Sequence, residues 1–408
     1  MQRGTNLGRL GDFNQAVIFE SIRRAVDGVS RVELAGSTGL SPQTISNVVR
    51  RLLDEGLVRE DRTVVSGPGK PRTVLELETN RMVSIGIHLD PGLISLVMLN
   101  LRGEVLLSRR LEIPAVEVPE KTLETMAAAV NEMITESGHP RSNVVGVGVA
   151  APGPLNPEKG FITGPPLLDG WNEVDIVEPL HRALDLPVVL EKDTIAAAIA
   201  ETWKGTGQGR DNFIFMYMGA GIGAGIVLNG EVVRGVSNNA GEVGHYSTGQ
   251  DSRDCECGRR DCLAAATSFP MVAAQARAVG IALDVPDEGT VEERATGMNQ
   301  LVEMAAAGNE AAQGVLRGSS EQVAQVAGQL CNALDVDTVI LGGPLWADIG
   351  GYCLEQAALV INERFTPKDV HGIEVLSSRL GFEVGAIGGA CAIMDAMFSP
   401  KASALLLR

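Results

Sequence analysis

Residues 213–245 read FIFMYMGAGIGAGIVLNGEVVRGVSNNAGEVGH. The first sixteen, Phe213–Leu228, are the longest uncharged apolar stretch of the chain. A membrane span needs about 20 such residues, and Gly219, Gly221, Gly223 and Gly225 interrupt this one. The pattern predicts two strands, Phe213–Met218 and Gly225–Leu228, around a glycine turn, with a third at Glu231–Arg234. Long helical segments follow, and Val339–Leu341 is a late strand before Gly342 and Gly343.

Upstream, the same text is written once already. Val83–Leu89, Ile94–Leu99 and Val105–Leu111 read as a three-strand meander, Leu123–Ser137 as a helix, Val144–Ala150 and Val188–Glu191 as buried strands, and Thr194–Trp203 as an alanine-rich helix. Two α/β halves, each opening on β-hairpins, match the two-lobed actin-like ATPase architecture. The expected organisation is a first lobe at 81–200, joined by a returning C-terminal helix at 385–408, and a second lobe at 201–384.

The first 80 residues differ in charge and pattern. They carry 11 Lys and Arg against 10 Asp and Glu, whereas the remainder carries 23 against 41, within a formal charge of −17. Nearly all the acidity lies in the body, which excludes a nonspecific nucleic-acid coat and leaves room for a separate DNA module at 1–80. Asp12 with Gln15 reads as a capping box opening a first helix to Val26; Ser30 with Glu33 opens a short second helix, Arg31–Ser37. Gly39 allows a tight turn, and Ser41 caps a third helix that starts on Pro42. In that helix Ile45, Val48, Val49, Leu52 and Leu53 form one apolar face, and Gln43, Thr44, Ser46, Asn47, Arg50 and Arg51 the other. Short helix, tight turn and a helix rich in amides at its start define a helix-turn-helix. Gln and Asn can pair with adenine edges, and Arg with guanine or phosphate. Leu57–Arg59 and Thr73–Leu77 read as strands flanking SGPGKPR, a β-wing with Lys70 and Arg72 at its tip. A small protein-binding domain with a merely solvated polar face is the alternative; amide-rich helix start and basic wing together favour DNA. The expected DNA-contacting set is Gln43, Thr44, Ser46, Asn47, Arg50, Lys70 and Arg72.

His245, Cys255, Cys257 and Cys262 are spaced H-x9-C-x-C-x4-C. Three thiolates and an imidazole suit a closed tetrahedral zinc shell, with Gly258 relieving the turn, so one structural Zn²⁺ per chain is expected. The other three cysteines, Cys331, Cys353 and Cys391, sit on apolar stretches and read as core. The start, MQRGTNLGRLGDF, has no apolar segment of a secretory signal, and the cysteine use fits a reduced, cytoplasmic setting with no membrane contact.

Four stretches, GVGVAAPGPLNPEKGFI at 146–162, VVLEKDTIAAAIAE at 188–201, residues 219–245 and CECGRRDCL at 255–263, closely resemble the ROK family of repressors, open reading frames and kinases, over essentially the whole chain. The winged helix in front resembles its repressor branch. That resemblance implies a sugar-kinase fold, and against it several kinase parts are altered. Family kinases open on D-x-G-G-T; the matching segment is His88-Leu89-Asp90-Pro91-Gly92. Proline supplies no N–H and aspartate repels phosphate, so the cradle is degenerate. The second hairpin, usually G-T-G, is Gly219-Ala220-Gly221. Resemblance assigns the relic catalytic base to Asp193, and sugar contacts to Glu242 and His245; the neighbouring asparagine has become Lys192, a glutamate Ala264, and another asparagine Leu167. An effector site at Lys192, Asp193, Glu242 and His245 follows, and the added lysine favours a sugar phosphate or sugar acid unless it pairs with Asp193 or Glu191. The expected protein is a non-enzymatic regulator of carbohydrate genes, a homodimer or tetramer on a double-stranded operator. An active sugar kinase and a regulator governed by a protein partner are the alternatives.

Overall fold

The computed structural model describes residues 7–64, 71–91, 93–112, 118–165, 168, 170–249, 254–255, 257–287 and 289–399. Lys70, Gly92 and Leu167 lie outside them.

In the head, α1 (Leu7–Arg24) is already helical at Leu7, so Asp12 is an interior residue and not a cap. Once a helix is nucleated, each added residue brings its own hydrogen bond, which outweighs a local capping signature. β1 (Val29–Ser30) leads into α2 (Arg31–Thr38), where Ser30 and Glu33 form the reciprocal capping box and Gly39, at φ 69°, closes the helix. The Ser41 side chain accepts from the Thr44 N–H at the start of α3 (Pro42–Asp54). Ile45, Val48, Val49 and Leu52 of α3 pack with Ile18, Phe19, Ile22 and Leu34. β2 (Val58–Val64) and β3 (Arg72–Leu77) pair antiparallel in a sheet of order β1-β3-β2, which completes the winged helix.

The first lobe is built on β4 (Val83–Asp90), β5 (Leu93–Asn100), β6 (Val105–Glu112), β7 (Val144–Ala151) and β11 (Val188–Lys192). α4 (Pro119–Ser137) lies between β6 and β7 in the chain. A small ladder of β8 (Leu155–Asn156), β9 (Phe161–Thr163) and β10 (Asn172–Asp175), then α5 (Val177–Leu184), precede β11. α6 (Asp193–Trp203) crosses to the second lobe, whose sheet comprises β12 (Phe213–Met218), β13 (Ile222–Leu228), β14 (Glu231–Val232), β15 (Thr338–Gly342) and β16 (Glu374–Ser377). Its helices are α7 (Leu263–Ala266), α8 (Phe269–Ala278), α9 (Val291–Ala306), α10 (Glu310–Leu334) and α11 (Pro344–Arg364). Strand orders β6-β5-β4-β7-β11 and β14-β13-β12-β15-β16 are the same plan twice, an antiparallel meander flanked by two parallel strands. The predicted two-lobed α/β architecture is the observed one.

α6 and α12 (Val384–Phe398) are packed between the two sheets, in a core that joins Val97 and Leu99 of the first lobe to Phe213, Phe215 and Ile340 of the second. Backbones touch here without side chains between them. A Cβ on Gly86 would lie 1.8 Å from the Ala386 carbonyl oxygen, one on Gly148 1.8 Å from that of Gly389, and one on Gly388 2.0 Å from that of Ala196. By length and composition Gly381–Phe398 could cross a membrane, yet 61% of it is buried inside the fold, as expected of a core helix.

Candidate functional site

On α3, Gln43, Asn47 and Arg50 are exposed, while Thr44 and Ser46 are half-buried. Gln43 Nε2 donates to Asn47 Oδ1 at 3.1 Å, so the two amides are oriented together one helical turn apart. The hydroxyls of Thr44 and Ser46 are partly spent on the helix start: Thr44 Oγ1 is 2.9 Å from Ser41 Oγ, and Ser46 Oγ donates to the Pro42 carbonyl at 2.8 Å. The sheet presents a different electrostatic face. Arg59 pairs with Glu76 and Glu78, Arg62 with Asp61 and Glu76, and Arg31 with Glu60. Arg50 and Arg51 form no ion pair among the described residues, so the unmatched positive charge lies on α3, with exposed Arg72 at the base of the wing.

The second constellation lies in the loop after β14. His245 ends a short 3₁₀ turn, Val243–His245; Cys255 and Cys257 flank the turn closed by Gly258 at φ 81°; Cys262 is held by a bridge between Ser247 and Cys262. All four donor atoms lie within 4.8 Å of one another. Cys257 Sγ is 3.6 Å from Cys262 Sγ, and Cys255 Sγ is 3.6 Å from His245 Nδ1. A tetrahedral zinc shell has S···S edges of about 3.7 Å, so the donors fit a metal of that size. It is His245 Nδ1 that faces the thiols, leaving Nε2 as the ring's outer nitrogen. Cys331, Cys353 and Cys391 are buried core residues, as expected.

The third lies where the sheets meet. His88, on β4, is 3% exposed; burial pushes it down to about 4, so it is neutral at pH 7, with its ring edge-on to Tyr217 at 6.3 Å. Asp90 and Asp193 are half-buried at the ends of β4 and β11. Burial and the nearby Asp193 raise Asp90 to about 7; burial raises Asp193 to about 6, against the opposing pull of Lys192 and the Thr194 N–H. Burial is the main cause of both shifts, so each carboxyl holds its proton to a higher pH than a free aspartate. Where the resemblance places a phosphate cradle, this chain carries negative charge. The Gly219 N–H is used within its own turn, donating to the Gly221 carbonyl at 3.0 Å. Tyr217 Oη and Thr194 Oγ1 are buried without a partner among the described residues. Inside an apolar strand Tyr217 reads as plain core; what sets it apart is its hydroxyl, which a buried tyrosine normally satisfies.

Lys192 departs from expectation. Its Nζ lies 2.6 Å from Glu242 Oε1 and donates to the Ala240 carbonyl at 3.2 Å, while the side chain is 3% exposed. The partner is neither Asp193 nor Glu191; the latter pairs with Arg234. β11 and the 3₁₀ turn, 50 residues apart, meet at this point, so the charge that was to attract an anion is matched within the protein. Asp193, Lys192, Glu242 and His245 are brought to one region through that pair, the strand end and the turn that runs from Glu242 to His245.

The raised carboxylates carry a pH signature. Asp90 binds its proton more tightly in the folded chain than in the unfolded one, so its ionisation costs stability progressively from about pH 4 to about 7. Asp90→Asn is expected to leave the melting midpoint unchanged at pH 4 and raise it at pH 8. The gain is on the order of 1 kcal/mol, less than the full shift because the cleft admits solvent. Thermal melts at both pH values check it; an equal change at both would show that ionisation of buried Asp90 is not the cause.

A winged-helix head on a duplicated, actin-like sugar-kinase fold defines the class of this protein. The ROK family model matches residues 84–396, and the winged helix-turn-helix DNA-binding model residues 27–59. The chain belongs to the ROK family. It is 24% identical over 378 residues to the xylose repressor of Caldicellulosiruptor bescii, covering 91% of this chain and 93% of that one. It is 22% identical over 383 residues to the DNA-binding transcriptional repressor Mlc of Escherichia coli, covering 93% and 92%. Among solved structures, a ROK family transcriptional regulator homologous to E. coli MLC superposes with a TM-score of 0.76 at 23% identity over 96% of this chain and 97% of that one. A ROK glucokinase from Streptomyces griseus, solved with glucose and AMPPNP, gives 0.63 at 25% over 76% and 98%. Head and body together make this chain a DNA-binding transcriptional regulator.

Proposed function

We propose that this chain is a sugar-responsive repressor of carbohydrate genes, with a DNA-reading head at 1–80 and a kinase-like body at 81–399 that senses ligand without phosphorylating it. The observation that carries it is the unmatched basic recognition helix; Asp90 and Pro91, standing where the resemblance expects phosphate-binding glycines, support a body that does not phosphorylate. Gln43, Asn47 and Arg50 read bases or phosphates; Lys70 and Arg72 hold the backbone. His245 Nδ1 and the thiolates of Cys255, Cys257 and Cys262 would hold Zn²⁺, which would supply a fold constraint and fix the imidazole. Effector hydroxyls are bound by Asp193, Glu242 and the outer nitrogen of His245. With Lys192 matched by Glu242, the effector is a neutral sugar in preference to a sugar phosphate. Two heads on a palindrome imply a homodimer or a higher even assembly. A residual sugar kinase is the second reading, favoured by Asp193, whose carboxyl at about 6 suits a general base.

The test begins with selection of an operator from random duplexes by the full chain. Asn47→Ala is expected to relax preference at one base position at a cost of about 1–3 kcal/mol. Lys70→Ala should weaken all sequences alike and flatten the salt dependence by about one counterion. In the same preparation a coupled assay with ATP and hexoses should stay at background. Failure to select any duplex would end the repressor reading, and turnover abolished by Asp193→Ala would establish the kinase.

A further inference from the structure

The head meets the body at Leu101 and Arg102, after β5, and at a junction at the end of α1. Arg23, near the end of α1 and 8% exposed, stacks its Cζ 3.7 Å from the centre of the Trp203 ring, the last residue of α6. Glu20 holds the guanidinium with two bonds of 2.6 and 2.7 Å. Trp203 Nε1 donates to Asp395 Oδ1 of α12 at 2.9 Å. Beside it Phe19 of α1 lies against Phe398, the last residue of α12, with ring centres 5.0 Å apart. So α1 rests on the C-terminal ends of two helices, and both of those helices begin at the carboxylate site where the two sheets meet. α6 starts on Asp193. α12 starts beside His88, where a Cβ on Gly385 would lie 2.6 Å from the imidazole.

Between these ends the two helices have little freedom to move separately. The Gly388 position leaves no room even for a methyl against α6, and a Cβ on Gly225 of β13 would lie 2.4 Å from the Thr194 carbonyl oxygen. Close-packed backbones transmit displacement, because the alternative is overlap or a void. α6 spans about 15 Å from Asp193 to Trp203 at 1.5 Å per residue. A change at its first residue therefore arrives at its last as a shift of the whole rod.

We infer that Arg23 and Trp203 are positioning residues through which the α6–α12 block sets the orientation of the DNA-binding head, so that events at Asp193 reach α3 by way of α1. This rests on the reading of the cleft as an effector site and of the head as a DNA reader. It assigns the path between them, which neither reading requires. A cation over an indole suits such a joint, since the contact is strong when desolvated yet depends steeply on where the ring stands. A purely adhesive contact would hold the head to the body but would not report the cleft.

The experiment uses the full chain, its hydrogen exchange followed by mass spectrometry without ligand or operator. Arg23→Gln is expected to speed exchange in α1 by roughly three- to thirty-fold, and Arg23→Lys, which keeps a cation, to restore much of the protection. Asp193→Asn is the cleft perturbation, with Asp90→Asn as its replacement should the first fail to fold. In the wild-type background it should alter α1 exchange; in the Arg23→Gln background that effect should vanish. Additive effects, or an α1 indifferent to both cleft variants, would overturn the inference. The selected operator then gives a functional arm: D-xylose and D-glucose are titrated against each variant. If one sugar changes wild-type operator affinity, Arg23→Gln should lower that factor towards one while sugar affinity stays within two-fold. An unchanged factor would count against the junction. If no sugar binds, the effector reading fails, and the exchange cycle still decides the coupling.

Discussion

Cys257→Ser protein is expected to purify with almost no zinc, against an expected one ion per wild-type chain, and to lose the structure around His245 and Cys262. The donors enclose a site of the right size, and zinc would bind the three cysteines as thiolates. In the absence of the metal, the N–H of Arg259 favours ionisation of Cys257, whereas burial and the adjacent thiols push Cys262 up. Without the ion the cluster loses the bonds that draw its donors together, so the loop opens. Apparent zinc affinities of such sites are on the order of 10 kcal/mol or more, and much of that is folding energy. The consequence should extend to Glu242 and Lys192, because zinc bound at Nδ1 would fix the ring of His245 beside them. Elemental analysis and exchange across 245–262 measure both effects; full zinc occupancy in the variant would dismiss this ligand set.

Gly388→Ala is expected to destabilise the chain by about 3 kcal/mol or more, or to prevent folding, although alanine is the better helix former. Its methyl would meet the Ala196 carbonyl oxygen at 2.0 Å and the carbonyl carbon at 2.2 Å. Neither atom can swing aside, since both belong to the backbone of α6. Gly314→Ala is the control. It lies on α10 with an exposed backbone and nothing within 4 Å of the new Cβ, so the same change should gain about 0.5–1 kcal/mol. Urea midpoints of the two variants moving in opposite directions would establish the contact; parallel shifts would refute it.

Much of this is legible in the chain, for reasons that differ by site. Capping at Ser30 and Ser41 involves residues three apart, so the signal is wholly local, and the structure reproduces it. The Cys/His cluster is similar, since rare residue types at short spacing seldom meet by chance. Gly223 is harder. It reads as part of a turn, whereas β13 begins at Ile222 and the glycine is there because Thr194 packs against the strand, its Cγ2 2.6 Å from where a Cβ would stand. A glycine that admits a neighbouring helix and one that permits a turn look alike in sequence. Lys192 invites pairing with its chain neighbours, but its partner Glu242 is 50 residues away. Arg23 and Trp203 are still farther apart, and nothing in the local pattern of either points to the other.

In the winged sheet Arg59 and Arg62 already have carboxylate partners when no DNA is near, which leaves Arg72 and the arginines of α3 as the free charge among the described residues. Duplex DNA sheds its condensed cations only to protein charges that are free to replace them. This head therefore gains entropy on an arbitrary stretch of genome only through the few charges left free, and the body behind it, which gives the chain its charge of −17, is repelled by the same phosphates. Sliding encounters should be brief, with few molecules stored on bulk chromosome. Occupancy of a true site then depends on amides meeting bases, which makes the regulator's genomic search a matter of many short visits.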